Sequence, residues 1–303
     1  MTHTDLDVVT GAFGFSGRYI ARELLARGRK VRTITGRPEH ESPFGEPVEV
    51  RPSDFDAPDR LAEHLAGADT LYNTYWIRFP HRGRTFEGAV ADTGALLAAA
   101  KAAGVRRIVH VSITNPSEDS PLPYFRLKAE AEQLVRASGP SHAIIRPTVI
   151  FGPEDILINN IAWMVRRFPA FPVPWGEAPL QPVFVEDLAR LAVEAGGGAE
   201  DVVWDAVGPE RFGFFDLVAT IAEALGRRVL RVPVPPTLMW LGSLAMGALV
   251  RDVVLTRDEV AGLTAGLLVS AEAPRCSTLL SRWLCDNAAT VGAAYHSEVR
   301  RHY

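Results

Sequence analysis

The sequence predicts an α/β fold: a parallel sheet covered by helices on both faces, with a smaller, mainly helical subdomain toward the C-terminus. Three observations predict it. Short β-branched strands alternate with helical stretches through the first half of the chain. The first of these strands stops at a glycine turn that opens directly into a helix. Beyond Phe151 proline and aromatic residues crowd together, and helical patterns then take over. Apolar strands joined through helices require both faces of the sheet to be buried, which is the condition for parallel pairing.

In order, Val8-Val9-Thr10 is the first strand, and Arg18 to Arg27 carries the first helical pattern. Lys30 to Thr35 is the second strand and Val48 to Arg51 the third; a short helix, Pro58 to Leu65, precedes a fourth strand at Thr70 to Tyr75. A helix over Phe86 to Ala103 leads into the fifth strand, Arg107 to Ser112. Pro123 to Ser138 is helical, with Leu127, Ala131, Leu134 and Val135 on one face, and Ala143 to Ile145 is the sixth strand. Phe168 to Pro182 reads as an irregular segment, Pro182 to Glu194 as a strand end and a helix returning to the core, and Ala195 to Glu200 as a surface loop. Residues 1–150 are therefore expected to form one domain, with 177–205 returning to it. Residues 151–176 and 206–303 are expected to form a substrate subdomain over the carboxyl edge of the sheet. Thr237 to Val250 is apolar almost throughout, yet shorter than a bilayer span and preceded by Pro233, Pro235 and Pro236. It reads as a buried helix, with a membrane-surface helix as the alternative.

At 303 residues, 47% apolar and 22% charged, the chain has the composition of a soluble globular protein with ample core. A net charge of −4 leaves no basic surplus to neutralise phosphates, which argues against a nucleic-acid partner. Cys276 and Cys285 form no CxxC or Cys/His cluster, and His81, His110 and His142 lack metal-ligand spacing, so neither a disulfide nor a metal site is expected. The N-terminus has no basic region followed by an apolar core, which points to a cytoplasmic protein without an integral membrane span. Monomer and homodimer are both open.

The glycine turn carries the chemistry. Gly11 permits the tight turn, Gly14 lets the backbone approach phosphates, and Gly17 lets the helix sit close to the strand. The backbone of Ala12, Phe13, Phe15 and Ser16 completes the loop, and the helix N-terminus offers N–H groups and a positive dipole end to a dinucleotide diphosphate. Selectivity should reside at the end of the second strand. A carboxylate there would hold the 2′-hydroxyl of NAD, but this chain has Thr35-Gly36-Arg37-Pro38. Arg37 can pair with a 2′-phosphate as a planar fork, Thr35 can donate to it, and Arg18 is a second cation, so NADP(H) is favoured over NAD(H). Asp54 and Phe55 after the third strand could meet the adenine, and Thr74 and Tyr75 end the fourth strand at the ligand-binding edge.

At the reactive end, Tyr124 and Lys128 are four apart on one helix and share a face. A phenol of ordinary pKa about 10 is a poor acid or base at neutral pH, and a nearby ammonium lowers it by favouring phenolate. The segments TGAFGFSG (10–17), VHVS (109–112), YFRLK (124–128), IIRPTVIFGP (144–153) and QPVFVEDLA (181–189) together resemble the short-chain dehydrogenase/reductase superfamily. The last two are similar to its extended and atypical branches, which include NAD-dependent epimerase/dehydratase-like proteins. LTRDEVAGL (255–263) is similar to the NADPH-holding accessory subunit of respiratory complex I. The resemblance implies a Rossmann-type sheet, a nicotinamide cofactor, Tyr124 as acid/base, Lys128 on the ribose and Pro147 against the nicotinamide. Two departures stand out. Where the family usually has a Ser-Ser pair at the end of the fifth strand, this chain has Ser112-Ile113-Thr114, so either hydroxyl is a candidate to hold the substrate oxygen. The loop Ile113 to Pro123 is also shorter than in sugar-nucleotide epimerases.

Lesser candidates are Asp92 as a supporting carboxylate, Asn159 and Asn160 as substrate or loop contacts, and Trp76, Phe79, Trp163, Phe171 and Trp175 as pocket walls. The expected function is an NADP(H)-dependent oxidoreductase acting on a small, fairly apolar carbonyl or alcohol. An epimerase or dehydratase would use the same apparatus, and a non-catalytic NADPH-binding module is the third reading.

Overall fold

The computed structural model describes residues 4–39, 41–45 and 48–302. The chain opens with β1 (Leu6–Thr10), α1 (Phe15–Ala26), β2 (Lys30–Thr35), β3 (Glu49–Pro52), α2 (Pro58–Leu65), β4 (Thr70–Asn73) and α3 (Phe86–Ala102). Next come β5 (Arg107–Val111), α4 (Pro123–Ala137) and β6 (Ser141–Pro147). They are followed by β7 (Ile150–Phe151), α5 (Leu157–Arg167), β8 (Ala170–Pro174), β9 (Pro179–Leu180) and β10 (Val183–Phe184). Then come α6 (Val185–Gly197), β11 (Val202–Ala206), β12 (Phe212–Gly213), α7 (Phe214–Ala224) and β13 (Leu230–Val234). Helices α8 (Pro236–Val250), α9 (Arg257–Thr264), α10 (Leu280–Asp286) and α11 (Glu298–His302) end the chain.

The chain divides into two units, Met1–Pro147 with Val185–Trp204, and Thr148–Phe184 with Asp205–Tyr303. The returning stretch thus begins at Val185 rather than at residue 177, because β9 and β10 pair inside the second unit, with β12 and β7 respectively.

The first unit holds a 7-stranded sheet in the order β11-β6-β5-β4-β1-β2-β3. The pairings β1–β2, β1–β4, β2–β3, β4–β5 and β5–β6 are parallel. This is the doubly wound order, with its switch point beside β1, where ligands of such sheets bind at the carboxyl ends. Val8, Leu71, Ile108 and Ile144 from four strands meet Leu61, Leu65, Leu96 and Val135 of the covering helices in one buried cluster. Thr85 caps α3 by accepting from Gly88 N at 3.0 Å, which supports its start. The stretch Ala195 to Glu200 is more than a surface loop. α6 runs through Gly197, Gly196 is buried, and the fully buried Arg107 donates through Nε to Ala195 O at 2.7 Å and through Nη2 to Glu200 O at 3.0 Å. The Ala195 carbonyl lies in the last turn of α6, where a guanidinium satisfies an acceptor near the negative end of the helix.

The second unit has its own core, built from Phe151, Ile158, Ile161, Phe171, Leu217 and Leu284 among others. The stretch read as irregular contains β8, which pairs in parallel with β13. Phe171 and Val173 alternate into the core. Pro172, Pro174 and Pro233 are tolerated because a two-stranded ribbon leaves one edge of each strand without ladder bonds. The apolar stretch forms α8, but it is not the buried helix expected: only Met239, Ser243 and Gly247 are buried. No helix among the described residues is long and apolar enough to cross a membrane.

Candidate active site

The turn between β1 and α1 has no room for side chains at two of its glycines. Gly11 has φ of 64°, the left-handed region, and its carbonyl accepts from Gly14 N at 2.8 Å. A Cβ on Gly17 would stand 2.4 Å from Gly11 O and 2.9 Å from the Gly11 carbonyl carbon; on Gly14 it would stand 3.1 Å from the same oxygen. Only glycine fits at position 17 without a backbone shift. Gly14 is the N-cap residue of α1, and no side chain caps that helix. Its first-turn N–H groups are therefore left for an outside acceptor, and an anion is the natural one. The turn fits a dinucleotide diphosphate.

Neighbouring groups fix this cradle. Ala12 N donates to Thr33 Oγ1 at 3.0 Å, and the Phe13 ring lies 6.3 Å from that of Phe44. Phe15 packs edge-on to Tyr19, and Ser16 sits in the first turn of α1. Arg18 folds back over the loop, its Nη2 donating to Phe13 O at 3.1 Å. Thr74 donates through Oγ1 to Thr10 O at 2.6 Å, and that hydroxyl would lie 3.1 Å from a Cβ on Gly17. The end of β4 is thus drawn onto the glycine turn.

At the end of β2, Thr35 Oγ1 accepts from Arg37 N at 3.2 Å and so shapes the turn that Arg37 follows. A Cβ on Gly36 would meet Ser53 Oγ at 3.6 Å and Arg84 Nη2 at 3.9 Å. Arg84, from the segment before α3, therefore brings a second guanidinium to this turn, which reading the sequence locally did not anticipate. Asp54 is engaged by Arg60 at 3.3 Å. The Phe55 and Tyr75 rings lie 4.9 Å apart, and Tyr75 OH donates to Asp92 Oδ2 at 2.5 Å, so Asp92 orients a residue of the β4 edge.

The reactive end lies on α4, which Pro123 starts at a position where its missing N–H costs nothing. Tyr124 and Lys128 are one turn apart and share a neighbour, Trp76. The Lys128 Nζ stands 4.3 Å from the Trp76 ring centroid, and the Tyr124 ring meets Trp76 edge-on at 6.2 Å and Phe86 at 5.5 Å. Lys128 is buried and donates to Val111 O at 3.0 Å. Burial pulls its ammonium down to about 7, with Glu132 opposing the shift only in part. That carboxylate is held elsewhere, by Arg146 at 2.8 and 2.6 Å and by Arg136 at 3.2 Å. Beneath the lysine, burial and the Lys128 charge lower the basicity of His110. Asn73 Oδ1 accepts from Thr10 Oγ1 and Tyr75 N, which turns its amide NH₂ toward His110 Nδ1 at 3.1 Å. His110 is thereby assigned as a neutral imidazole protonated on Nε2.

The two hydroxyls at the end of β5 differ. Thr114 Oγ1 donates to Arg146 O at 3.1 Å, and Thr114 N donates to Pro147 O at 2.9 Å. Ser112 Oγ, Trp76 Nε1 and His110 Nε2 are buried without a hydrogen-bond partner. Buried polar atoms are normally paired, and the Trp76 orphan sits on the indole that borders both Tyr124 and Lys128.

The other candidates serve the fold. Asn159 donates to Gly152 O and Asp155 Oδ2 and accepts from Gly292 N, while Asn160 exchanges two bonds with the His296 backbone. Phe171 lies in the second unit's core, Phe79 is buried, Trp163 packs on Tyr295, and Trp175 is exposed. Among the five aromatics, Trp76 touches both members of the tyrosine–lysine pair. No group of His, Cys, Asp or Glu among the described residues is placed to hold a metal.

A family model described as NAD(P)H-binding matches residues 11–155. The chain is 31% identical over 264 residues to the mouse (Mus musculus) NADH dehydrogenase (ubiquinone) 1 alpha subcomplex subunit 9, mitochondrial, a match taking in 83% of this chain and 70% of that protein. Against the Arabidopsis thaliana counterpart it is 29% identical over 242 residues, 75% of this chain, and spans 60% of the relative's length. It is 34% identical over 192 residues to the ceramide reductase of Caulobacter vibrioides, covering 61% of this chain and 59% of that one. Among solved structures, Citrobacter triphenylmethane reductase complexed with NADP(H) superposes with a TM-score of 0.77 at 21% identity, over 93% of this chain and 99% of that one. With its glycine turn between β1 and α1 and a sheet in doubly wound order, the chain belongs to the NAD(P)H-binding family that includes the alpha subcomplex subunit 9 of NADH dehydrogenase.

Proposed function

We propose that the chain is an NADP(H)-dependent oxidoreductase of the short-chain dehydrogenase/reductase type, interconverting a small, fairly apolar carbonyl compound and its alcohol. The observation that carries this reading is the buried Lys128, held over Trp76 one helical turn from Tyr124, with the unpartnered Ser112 hydroxyl next in the chain to the carbonyl that Lys128 binds. Gly11, Gly14 and Gly17 would hold the diphosphate. Thr35, Arg37 and Arg84 would hold the 2′-phosphate, which selects NADP(H). Phe55 and Tyr75 would border the adenosine, and Pro147 the nicotinamide. When bound, the nicotinamide supplies or accepts the hydride. In the reducing direction the Tyr124 hydroxyl gives its proton to the carbonyl oxygen as that oxygen gains charge. Lys128, charged, favours the resulting phenolate, and Ser112 rather than Thr114 donates to the substrate oxygen, since the Thr114 hydroxyl is committed to Arg146 O. The rings of Trp76 and Phe86 against Tyr124 favour an apolar substrate over a polyhydroxylated one. The match to a ceramide reductase supports reduction of an apolar compound. Cys276 and Cys285 are free thiols, which accords with a reducing, cytoplasmic setting.

The test is Tyr124→Phe. NADPH binding, followed by fluorescence, should be unchanged, while NADPH consumption over a panel of apolar carbonyls falls about 10²–10⁴-fold. Turnover that survives the substitution rejects the role. Substrate conversion with no net NADPH consumption supports the epimerase or dehydratase reading. The similarity to alpha subcomplex subunit 9 favours a second reading, a cofactor-binding module attached to a protein partner. It predicts tight NADPH binding and no turnover by the wild type.

A further inference from the structure

The second unit carries a helix that violates the usual partition of apolar residues. α8 (PTLMWLGSLAMGALV) has no charged residue in its length, and it packs inward through Met239, Ser243 and Gly247 only. Leu238, Leu241, Leu244 and Leu249 are 55%, 50%, 50% and 70% exposed. On a 3.6-residue period these leucines, with Ala245 and Ala248 between them, form one continuous arc of ~140°. A helix apolar all round is normally buried, so the outward arc lacks an apolar neighbour. Exposed apolar residues also lie just before the helix in the chain. Leu230 and Val232 are exposed on β13, and the exposed Trp175 is tied to that strand by its N–H to Val234 O at 3.0 Å.

The charges around this arc say what covers it. Arg251 closes the helix in the left-handed conformation, with φ of 56°, and is exposed. Arg257 lies 3.9 Å from the Trp240 ring of α8, and Arg231 lies 3.9 Å from the Phe215 ring. Arg227 and Arg228 are exposed in the turn before β13. From 227 to 257 the chain has five arginines and one carboxylate, in a protein whose net charge is −4. That carboxylate, Asp252, is already engaged, accepting from Tyr295 OH, Glu298 N and Val299 N at 3.0 Å each. Of the two carboxylates that follow, Glu259 is folded into the capping box of α9, and Asp258 lies in that helix's first turn, facing its positive end. A second copy meeting this face with its own would set the same five arginines against one another. Lipid phosphates supply the missing charge, and acyl chains accept leucines without directional partners. α8 is too short to span a bilayer but long enough to lie in its surface.

We propose that the second unit docks peripherally on an anionic lipid bilayer, with the leucine arc of α8 at the acyl boundary and Arg231, Arg251 and Arg257 on lipid phosphates. This stands apart from the catalytic reading, because it needs neither cofactor nor turnover.

Flotation of the full chain with vesicles tests it. One set would be phosphatidylcholine alone, the other equal parts phosphatidylcholine and phosphatidylglycerol. The chain should partition onto the anionic vesicles at least about tenfold better than onto the neutral ones, and high salt should release it. The triple substitution Leu238→Ser, Leu241→Ser, Leu244→Ser should weaken that binding on the order of a hundredfold. Arg251→Glu with Arg257→Glu should weaken it about tenfold or more, on anionic vesicles only. NADPH titration of each variant reports on folding of the first unit, and its melting curve on the rest. No flotation of the wild type, equal flotation on both vesicles, or full flotation of the leucine variant would each overturn the proposal. So would a wild-type dimer in sedimentation that the leucine variant dissolves, which would assign the face to a second copy.

Discussion

The two units break the ordinary partition of polar and apolar groups in opposite directions. The first hides a cation: Lys128 is buried with one carbonyl and one indole face as its immediate partners. The second displays leucines along α8. Both arrangements cost the isolated chain free energy, the first by desolvating a charge and the second by leaving apolar area in water. A partner removes each cost, but the partners differ in kind. On the two proposals, Lys128 would meet hydrogen-bond acceptors of a small ligand, whereas α8 would meet an apolar phase. Departures from local consistency of this sort mark the places where a fold works rather than merely holds together.

The largest effect expected in either unit comes from Gly17→Ala. The new methyl would stand 2.4 Å from Gly11 O, an atom that cannot move without opening the turn. We expect loss of about 3 kcal/mol in denaturant unfolding and at least a hundredfold weaker NADPH binding by fluorescence titration. A variant that binds NADPH as the wild type does would separate the glycine turn from the diphosphate.

Lys128→Met comes next and acts on stability and turnover with opposite signs. The folded lysine titrates at about 7, and an unfolded one near 10.4. Below about pH 7 both states are charged and the folded state bears the whole burial penalty. Between those values the folded lysine is neutral while the unfolded one still binds a proton, so wild-type stability rises with pH. Lys128→Met should therefore stabilise the protein by a few kcal/mol at pH 6 and by little at pH 10, while abolishing turnover. Equal unfolding free energies for variant and wild type at pH 6 would show that the ammonium is not desolvated in solution.

Arg37→Ala and Arg84→Ala should each weaken NADPH binding about 10- to 100-fold and leave NADH binding unchanged. An equal loss for both coenzymes would place these guanidiniums on the diphosphate or in the fold rather than at the 2′-phosphate.

How far these features could be read in the sequence depended on how far apart their parts lie. Gly11, Gly14 and Gly17 are neighbours in the chain, and their spacing between a β-branched run and a helical pattern announces a strand-to-helix turn. Tyr124 and Lys128 declare themselves through helical spacing. Arg84 at Gly36 and Trp76 over Lys128 depend on where a loop and a strand end come to rest, and no local pattern encodes that. The engagement of the Thr114 hydroxyl was equally closed to sequence, because its acceptor is a carbonyl of Arg146 in another strand. The proline-rich β8 was hidden because its partner β13 lies far along the chain and pairs through a ribbon that tolerates proline. The apolar character of α8 was plain; its exposure was not. Hydropathy reports what a helix seeks, and only the packing of β8 and α9 against one side shows that the other side has not found it.

That last distinction yields the smallest expected effect and the sharpest contrast within one helix. Met239 and Leu241 are two residues apart on α8, one buried and one half-exposed. Met239→Ala should cost about 2–3 kcal/mol, because the cavity it leaves lies in the second unit's core. Leu241→Gln replaces one good helix former by another at a wetted site and should change stability by less than about 0.5 kcal/mol. On anionic vesicles the order should invert, with Leu241→Gln weakening binding severalfold and Met239→Ala leaving it unchanged wherever the variant is folded. If both substitutions destabilised the chain alike in water, the leucine arc would already be covered by protein, and the contrast between a unit that awaits a ligand and one that awaits a surface would lose its second half.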